Sequence, residues 1–234
     1  MDRARTQHAA YVGTLAELGV DVHQLPSDEA CPDCCFVEDT AVVIGAIAVL
    51  TCPGAVSRRA EVEGVASSLR RWCTIYPMHL PATLDGGDVL RAGDNLFVGL
   101  SGRTNDEGAA FLEKAAATEG VVTTTVKVRG GLHLKSSCSL VAPATMVYLD
   151  SAIDPAPFRD AGLRCIPVSE QYGANALLVG DAVLVSSAAP RTAEMLAGAE
   201  GIDVRLVDVT ELHKADGALT CLSIRIPGPG CWCA

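Results

Sequence analysis

The sequence predicts an α/β fold made of repeated ββαβ modules, on three observations. A strand-strand-helix-strand order recurs, it recurs at a nearly even pitch, and the two ends of the chain supply complementary pieces of one more module. A helix over 4–18 and a strand over 20–25 come first. Two apolar, β-rich runs follow at 36–45 and 46–53, then an amphipathic helix over 57–72 with Ser57 as its N-cap, then a strand over 75–80. The second module pairs 88–90 with 95–100 across an Ala92-Gly93-Asp94 turn, whose chemistry suits a hairpin, and continues into a helix over 105–117 and a strand over 121–128. The third runs through 136–142, 145–149, a short helix near 155–161 and a strand over 164–168. The fourth runs through 175–179, 182–186, a helix over 190–199 and a strand over 204–209. Pro190 suits a first helical turn, where its missing N–H forfeits no bond. A last strand over 219–227 closes the chain.

Modules that start near Phe36, Gly87, Ser136 and Asn175, with the last strand at Leu219, are separated by 51, 49, 39 and 44 residues. The opening helix and strand and the closing strand together form a fifth module, split across the termini. A ring of five modules follows, because closure pairs strands that would otherwise present bare edges. One strand of the fifth hairpin is missing, and the repeat places it before Met1. An open edge at that place would cost stability and invite pairing with another chain.

Composition narrows the class. Of 234 residues, 49% are hydrophobic and 4% aromatic, which suits one domain over 1–234 with an aliphatic core. A net charge of -10 with 18 dispersed basic residues excludes a nucleic-acid surface. No apolar stretch approaches the roughly 18 residues of a membrane span, and residues 1–19 lack a signal-peptide core, so the chain reads as cytoplasmic. The ten cysteines are scattered in a chain rich in core residues, which fits reduced thiols better than a disulfide framework. Cys31, Cys34 and Cys35, together with Cys231 and Cys233 around Trp232, leave open a zinc site. The second pair has the wrong spacing for a zinc knuckle and no loop architecture surrounds the first cluster, so buried small hydrophobes plus a tail explain them better.

Polar residues interrupt the apolar runs at equivalent places, at or just before the first strand of successive modules: Glu38-Asp39, Asp85-Gly86-Gly87-Asp88 and His133. The closing strand carries Cys221 in the run Leu219-Thr220-Cys221-Leu222-Ser223-Ile224. Singly, these are a structural histidine, a core thiol and a turn. Together, turned by the repeat toward one axis, they are the parts of a thiol-nucleophile hydrolase.

Six segments, in order, carry a resemblance: Pro32 to Thr40, Pro53 to Arg59, Thr83 to Leu90, Val98 to Asn105, Gly131 to Ser136 and Asp216 to Ser223. They resemble the dimethylarginine dimethylaminohydrolases, within the guanidino-group-modifying superfamily, from about Arg5 to Ile226. The resemblance implies a five-bladed α/β propeller of ββαβ modules around a central channel, its fifth blade closed by the two termini and here missing an N-terminal strand. It implies hydrolysis of Nω-methylated L-arginine to L-citrulline and a methylamine, with no cofactor and no metal. Cys221 is implied as nucleophile and His133 as proton donor and acceptor, with Asp85 catalytic. Asp39 and Asp85 are to grip the guanidinium nitrogens, with Glu38 supporting the acidic wall. Arg58 and Arg103 are to hold the substrate carboxylate and Asp33 its ammonium, while Ala215, through its backbone, and Asp216 border the substrate. Asp88 reads as structural, supporting the Gly86-Gly87 turn.

The expected partner is a small methylated arginine, with neither nucleic acid nor membrane; the sequence leaves a homo-oligomer open. Members of the family usually begin with an additional segment that includes a lid, which this sequence lacks. Two other readings stay open: an arginine deiminase, which carries a larger helical insertion, and a non-catalytic propeller that only binds.

Overall fold

The computed structural model describes residues 2–198 and 202–228. Cys231, Trp232 and Cys233 lie outside the described residues, and the second half of the zinc reading with them. The fold is mixed α/β, with four three-stranded sheets and six α-helices among the described residues. Each sheet carries the predicted module, an antiparallel hairpin whose second strand pairs in parallel with a third that follows a helix. The chain divides into two compact units, Met1–Gln24 with Ser136–Thr220 and Leu25–Lys135 with Cys221–Ala234.

The unit around 25–135 holds two modules. The first is β1 (Ala41–Ile44), β2 (Ile47–Leu50), a helix over Glu61–Leu69 and β3 (Thr74–Pro77). The second is β4 (Val89–Ala92), β5 (Asn95–Leu100), a helix over Asp106–Ala117 and β6 (Val122–Lys127). With the N-terminal helix Asp2–Glu17 as α1, these two helices are α2 and α3. The hairpin β1–β2 is buried on both faces, which is why its strands read as unbroken apolar runs rather than as alternation, while β3 at the edge is largely exposed. Successive side chains point to opposite faces. Val42, Ile44, Ile47 and Val49 join one cluster with Leu96 and Val98 of the next sheet and Leu112, Ala115 and Ala116 of α3. Ala41, Ala48 and Leu50 face a second cluster with Val65, Ala66 and Leu69 of α2. Helix α3 therefore seals the space between two sheets. Burial of Leu112 in full contributes roughly 1.5 to 3 kcal/mol.

The other unit repeats the plan. Its third module is β7 (Cys138–Ala142), β8 (Thr145–Tyr148), α4 (Ala156–Asp160) and β9 (Arg164–Pro167). The fourth is β10 (Leu177–Val179), β11 (Ala182–Ser186), α5 (Pro190–Ala197) and β12 (Asp203–Val207), with Pro190 in the first turn as expected. Ala193 and Leu196 of α5 pack with Val183 and Val185 of its own sheet and Val141 and Val147 of the preceding one. A short helix, α6 (Thr210–His213), was not anticipated. Its first turn is capped from α1, where the buried Gln7 amide accepts from Glu211 N at 2.9 Å and donates to Thr210 Oγ1 at 2.9 Å.

Three hairpins turn on a glycine, Gly45, Gly93 and Gly180, with φ of 55°, 58° and 57°, a conformation in which a Cβ is strained. The third hairpin has Pro143-Ala144 instead, and its register shifts between Leu140 and Ala142.

Three expectations need correction. Ser57 is not an N-cap: Val56–Arg58 form a 3-10 turn and α2 begins only at Glu61, with no side-chain cap at Ala60. That turn carries Arg58 inward, onto Glu61. The segment 20–25 contains no strand. Nor does 219–227: Thr220–Leu222 is a 3-10 turn and the rest is irregular. The alternation there is nonetheless used, since Ile224 and Ile226 pack with Leu25 on the α2 side of the first sheet. Alternation reports a buried face; a strand also needs a ladder, and none is formed here among the described residues.

Asn105 ties the second module together. Its Oδ1 caps α3 by accepting from Gly108 N at 2.8 Å and also takes Thr83 N at 2.9 Å, while Nδ2 donates to Pro81 O at 2.8 Å. Asn105→Ala is expected to lower the unfolding free energy by about 1 to 2 kcal/mol, the usual worth of an N-cap; denaturant titration of both proteins measures it.

Candidate active site

The acidic interruptions and the histidine meet within the 25–135 unit. A 3-10 turn over Val37–Thr40 presents Glu38 and Asp39, and a second over Gly86–Asp88 starts from Asp85. Asp39, Asp85 and His133 bring a carboxylate oxygen each and a ring nitrogen within 4.8 Å of one another, all three buried. His133 Nε2 lies 2.9 Å from Asp85 Oδ2 and 3.8 Å from Asp39 Oδ1.

Every acid in this cluster has a defined seat. Asp85 Oδ1 accepts from Gly54 N at 2.9 Å. Asp39 Oδ1 accepts from Gly87 N at 2.8 Å, and its Oδ2 pairs with Arg58 Nη1. Asp88 Oδ2 accepts from Ser101 Oγ at 2.6 Å and Thr104 Oγ1 at 2.7 Å, while Oδ1 accepts from Leu134 N at 2.8 Å. Asp88 thus fixes the residue after His133 and the loop that carries Arg103, and Thr104 Oγ1 also accepts Asp85 N at 3.2 Å.

The glycine pair lets this backbone come close. A Cβ on Gly87 would stand 2.6 Å from His133 Nδ1 and 2.8 Å from Asp39 Oδ1, and one on Gly86 would stand 2.0 Å from Glu38 O.

Burial alone would lower the His133 pKa, but the hydrogen bond to Asp85 and the charges of Asp39, Asp88 and Asp85 outweigh it and raise it above 6.5. Burial raises the Asp88 carboxyl, an effect only partly opposed by His133 and by the Ser101, Thr104 and Leu134 bonds. The result is a buried acidic cluster holding an imidazole that keeps its proton to higher pH. Such a cluster suits a cation and an imidazole able to give and take a proton. As a metal chelate the set is poorly arranged, since His133 is already bonded to Asp85 and Asp39 to Arg58.

The remaining expected residues fall as follows. Arg58 is buried, with Nε and Nη2 on Glu61 at 3.1 and 2.6 Å, Nη2 on Phe36 O at 2.8 Å, and Nη1 on Asp39. An arginine beside two buried carboxylates is drawn to them first. Glu38 Oε1 pairs with Lys135 Nζ at 2.6 Å. Asp33 is half-buried, and Arg103 is half-exposed in a loop whose backbone is fixed by Ser101. Ala215 and Asp216 are exposed, in the other unit, with Asp216 in the left-handed region at φ 57°. Cys221 is half-buried on the 3-10 turn Thr220–Leu222 and is not one of the tight cluster. Cys31, Cys34 and Cys35 bring no third metal ligand together among the described residues, and burial with the neighbouring Cys34 pushes the Cys35 thiol up to about 11.

Sequence reading missed the roles of Glu61, Lys135, Gly54, Ser101 and Thr104. Four lie inside the resembling segments without a visible task; for Glu61 the only signal is its place three residues after Arg58 on a helical turn.

Fold and sequence together place the chain in a class of α/β proteins with well-characterised relatives. No family model matches it. The N(G),N(G)-dimethylarginine dimethylaminohydrolase of Streptomyces coelicolor is 39% identical over 226 residues, 95% of this chain and 86% of that protein. That of Pseudomonas aeruginosa is 34% identical over 228 residues, 95% of this chain and 88% of that protein. A solved structure of the Pseudomonas aeruginosa enzyme, a cysteine-to-serine mutant complexed with citrulline, superposes with a TM-score of 0.89 at 32% identity, covering 96% of this chain and 89% of that one. The chain belongs to the dimethylarginine dimethylaminohydrolase family.

Two measurements test the site. The protonated imidazole contributes stability that is fully present below about pH 6.5 and lost as pH rises through its raised folded value. Asp85→Asn removes the bond and charge that raise it, so the NMR titration midpoint of His133 should fall; a midpoint unchanged or higher contradicts the assignment. Gly87→Ala should cost about 1 to 3 kcal/mol of stability by overpacking against His133 and Asp39, read by denaturant unfolding.

Proposed function

We propose that this chain hydrolyses Nω-methylated L-arginine to L-citrulline and a methylamine. The observation that carries the reading is the buried Asp85–His133 contact at 2.9 Å in a wall of further acids, in a member of this family. A guanidinium carbon is a poor electrophile, so the enzyme must hold a planar cation against carboxylates and offer it a thiolate. Asp39 and Asp85, backed by Glu38, supply the negative wall.

The Cys221 thiolate attacks the guanidinium carbon, forming the C–S bond and a tetrahedral adduct. The bond to the methylated nitrogen breaks as His133 gives that nitrogen its proton, and the amine leaves a covalent thiouronium. His133, now neutral, takes a proton from water and the hydroxide adds to the same carbon; as the C–S bond breaks, the adduct's hydroxyl proton passes through solvent to the departed amine, and citrulline, the ammonium and the thiolate result. A raised imidazole pKa serves the first half by favouring the proton-bearing form.

At the amino-acid end Arg103 is assigned to the carboxylate and Asp33 to the ammonium, with Ala215 and Asp216 at the border. Arg58, which also pairs with Asp39, is assigned to the carboxylate with Arg103. The proposed architecture is the five-bladed α/β propeller in one catalytic domain, supported by four copies of the module. The cytoplasm is the proposed compartment: eight cysteines are free among the described residues, and no helix there is long and apolar enough to cross a membrane.

Citrulline release from asymmetric dimethylarginine is the test. Wild type should turn over dimethylarginine well ahead of free arginine, and Cys221→Ser should lose about 10⁴-fold or more in kcat. Full activity in Cys221→Ser, or preference for arginine, refutes the proposal.

A further inference from the structure

The stretch that leads into Cys221 is pinned at both ends by buried side chains. At its start the Gly217 carbonyl accepts from His213 Nδ1 at 2.8 Å, while His213 Nε2 meets Ser186 Oγ at 2.8 Å and the ring stacks on Tyr172 with centroids 3.6 Å apart. At its end a single side chain takes hold of Thr220 twice. Asn175 Nδ2 donates to Thr220 Oγ1 at 3.0 Å, and Asn175 Oδ1 accepts from Thr220 N at 3.2 Å. Asn175 is itself fixed, because Ser139 Oγ donates to Ala174 O at 2.7 Å and accepts from Ala176 N at 2.8 Å. One hydroxyl thus bridges the backbone on either side of Asn175. Ser139, Asn175 and Thr220 are all buried, where such bonds are strong and their loss is not repaired by water.

We propose that Asn175 is a positioning residue for the nucleophile: by holding both the N–H and the hydroxyl of Thr220, it sets the place of Cys221, the next residue in the chain. This rests on the reading of Cys221 as nucleophile. Holding one residue by backbone and side chain at once fixes its φ and its χ1 together, so the peptide that follows leaves it in one direction. Thiol attack on a planar carbon tolerates little misplacement; an error of about 1 Å can cost roughly 100-fold in rate. Binding of the substrate does not use this clamp, so the effect belongs in kcat.

The test compares Asn175→Ala, Thr220→Val and Thr220→Ser on dimethylarginine, each protein checked by circular dichroism to be folded at the assay temperature. Thr220→Val keeps the shape and the N–H bond but loses the hydroxyl; Thr220→Ser keeps both bonds. Asn175→Ala and Thr220→Val should lower kcat by about 10- to 100-fold with KM within about twofold, and Thr220→Ser should recover kcat to within about threefold of wild type. If Asn175→Ala does not fold, the two Thr220 variants decide. Wild-type kcat in Thr220→Val, or a fall in Thr220→Ser as deep as that in Thr220→Val, overturns the proposal. Cys221→Ser, assayed alongside, separates the two ideas. If it is inactive while Thr220→Val is fully active, only the positioning role fails; if it still releases citrulline, the nucleophile reading fails and takes the positioning role with it.

Discussion

Five acids are buried in the stretch 38–88: Glu38, Asp39, Glu61, Asp85 and Asp88. An unpaired buried carboxylate costs several kcal/mol, so the local fold must bring each one a partner. Arg58 serves Asp39 and Glu61, Lys135 serves Glu38, His133 serves Asp85, and hydroxyls and backbone N–H groups serve Asp88. Many features follow from meeting that demand: the two 3-10 turns, the glycine pair, the inward arginine and the loop over 101–104. Two fixed cations and one imidazole still leave the acids in surplus. That surplus is what raises the His133 pKa.

Much of the fold was legible because it is local. The hairpins, the helices and the ββαβ order were read from turn residues and apolar periodicity, and the ends moved by only a few residues. The exceptions share a cause. Ser57 looked like a cap because it precedes an apolar period, yet the chain there serves Arg58, whose partner Glu61 and whose direction depend on contacts that no local pattern encodes. The run 219–227 alternates like a strand, but alternation is satisfied equally by Ile224 and Ile226 settling on a core without a ladder.

The site was legible by a different route. No single residue in it is distinctive, and the clustered acids and histidine were legible only as a set carried by a family resemblance. What that route does not convey is the supporting layer. Thr104, Ser101 and Gly54 act by touching an acid rather than a substrate, and Asn175 lies 46 positions before the cysteine it is assigned to place. Such residues emerge only from geometry.

Helix α3 belongs as much to the sheet before it as to its own, and α5 does the same between the third and fourth sheets. A module cut out alone would leave one sheet face bare. The smallest self-sufficient piece of such a chain is therefore a neighbouring pair, and insertions are better tolerated in the hairpin tips than between a module's second and third strands, where the chain builds its neighbour's wall.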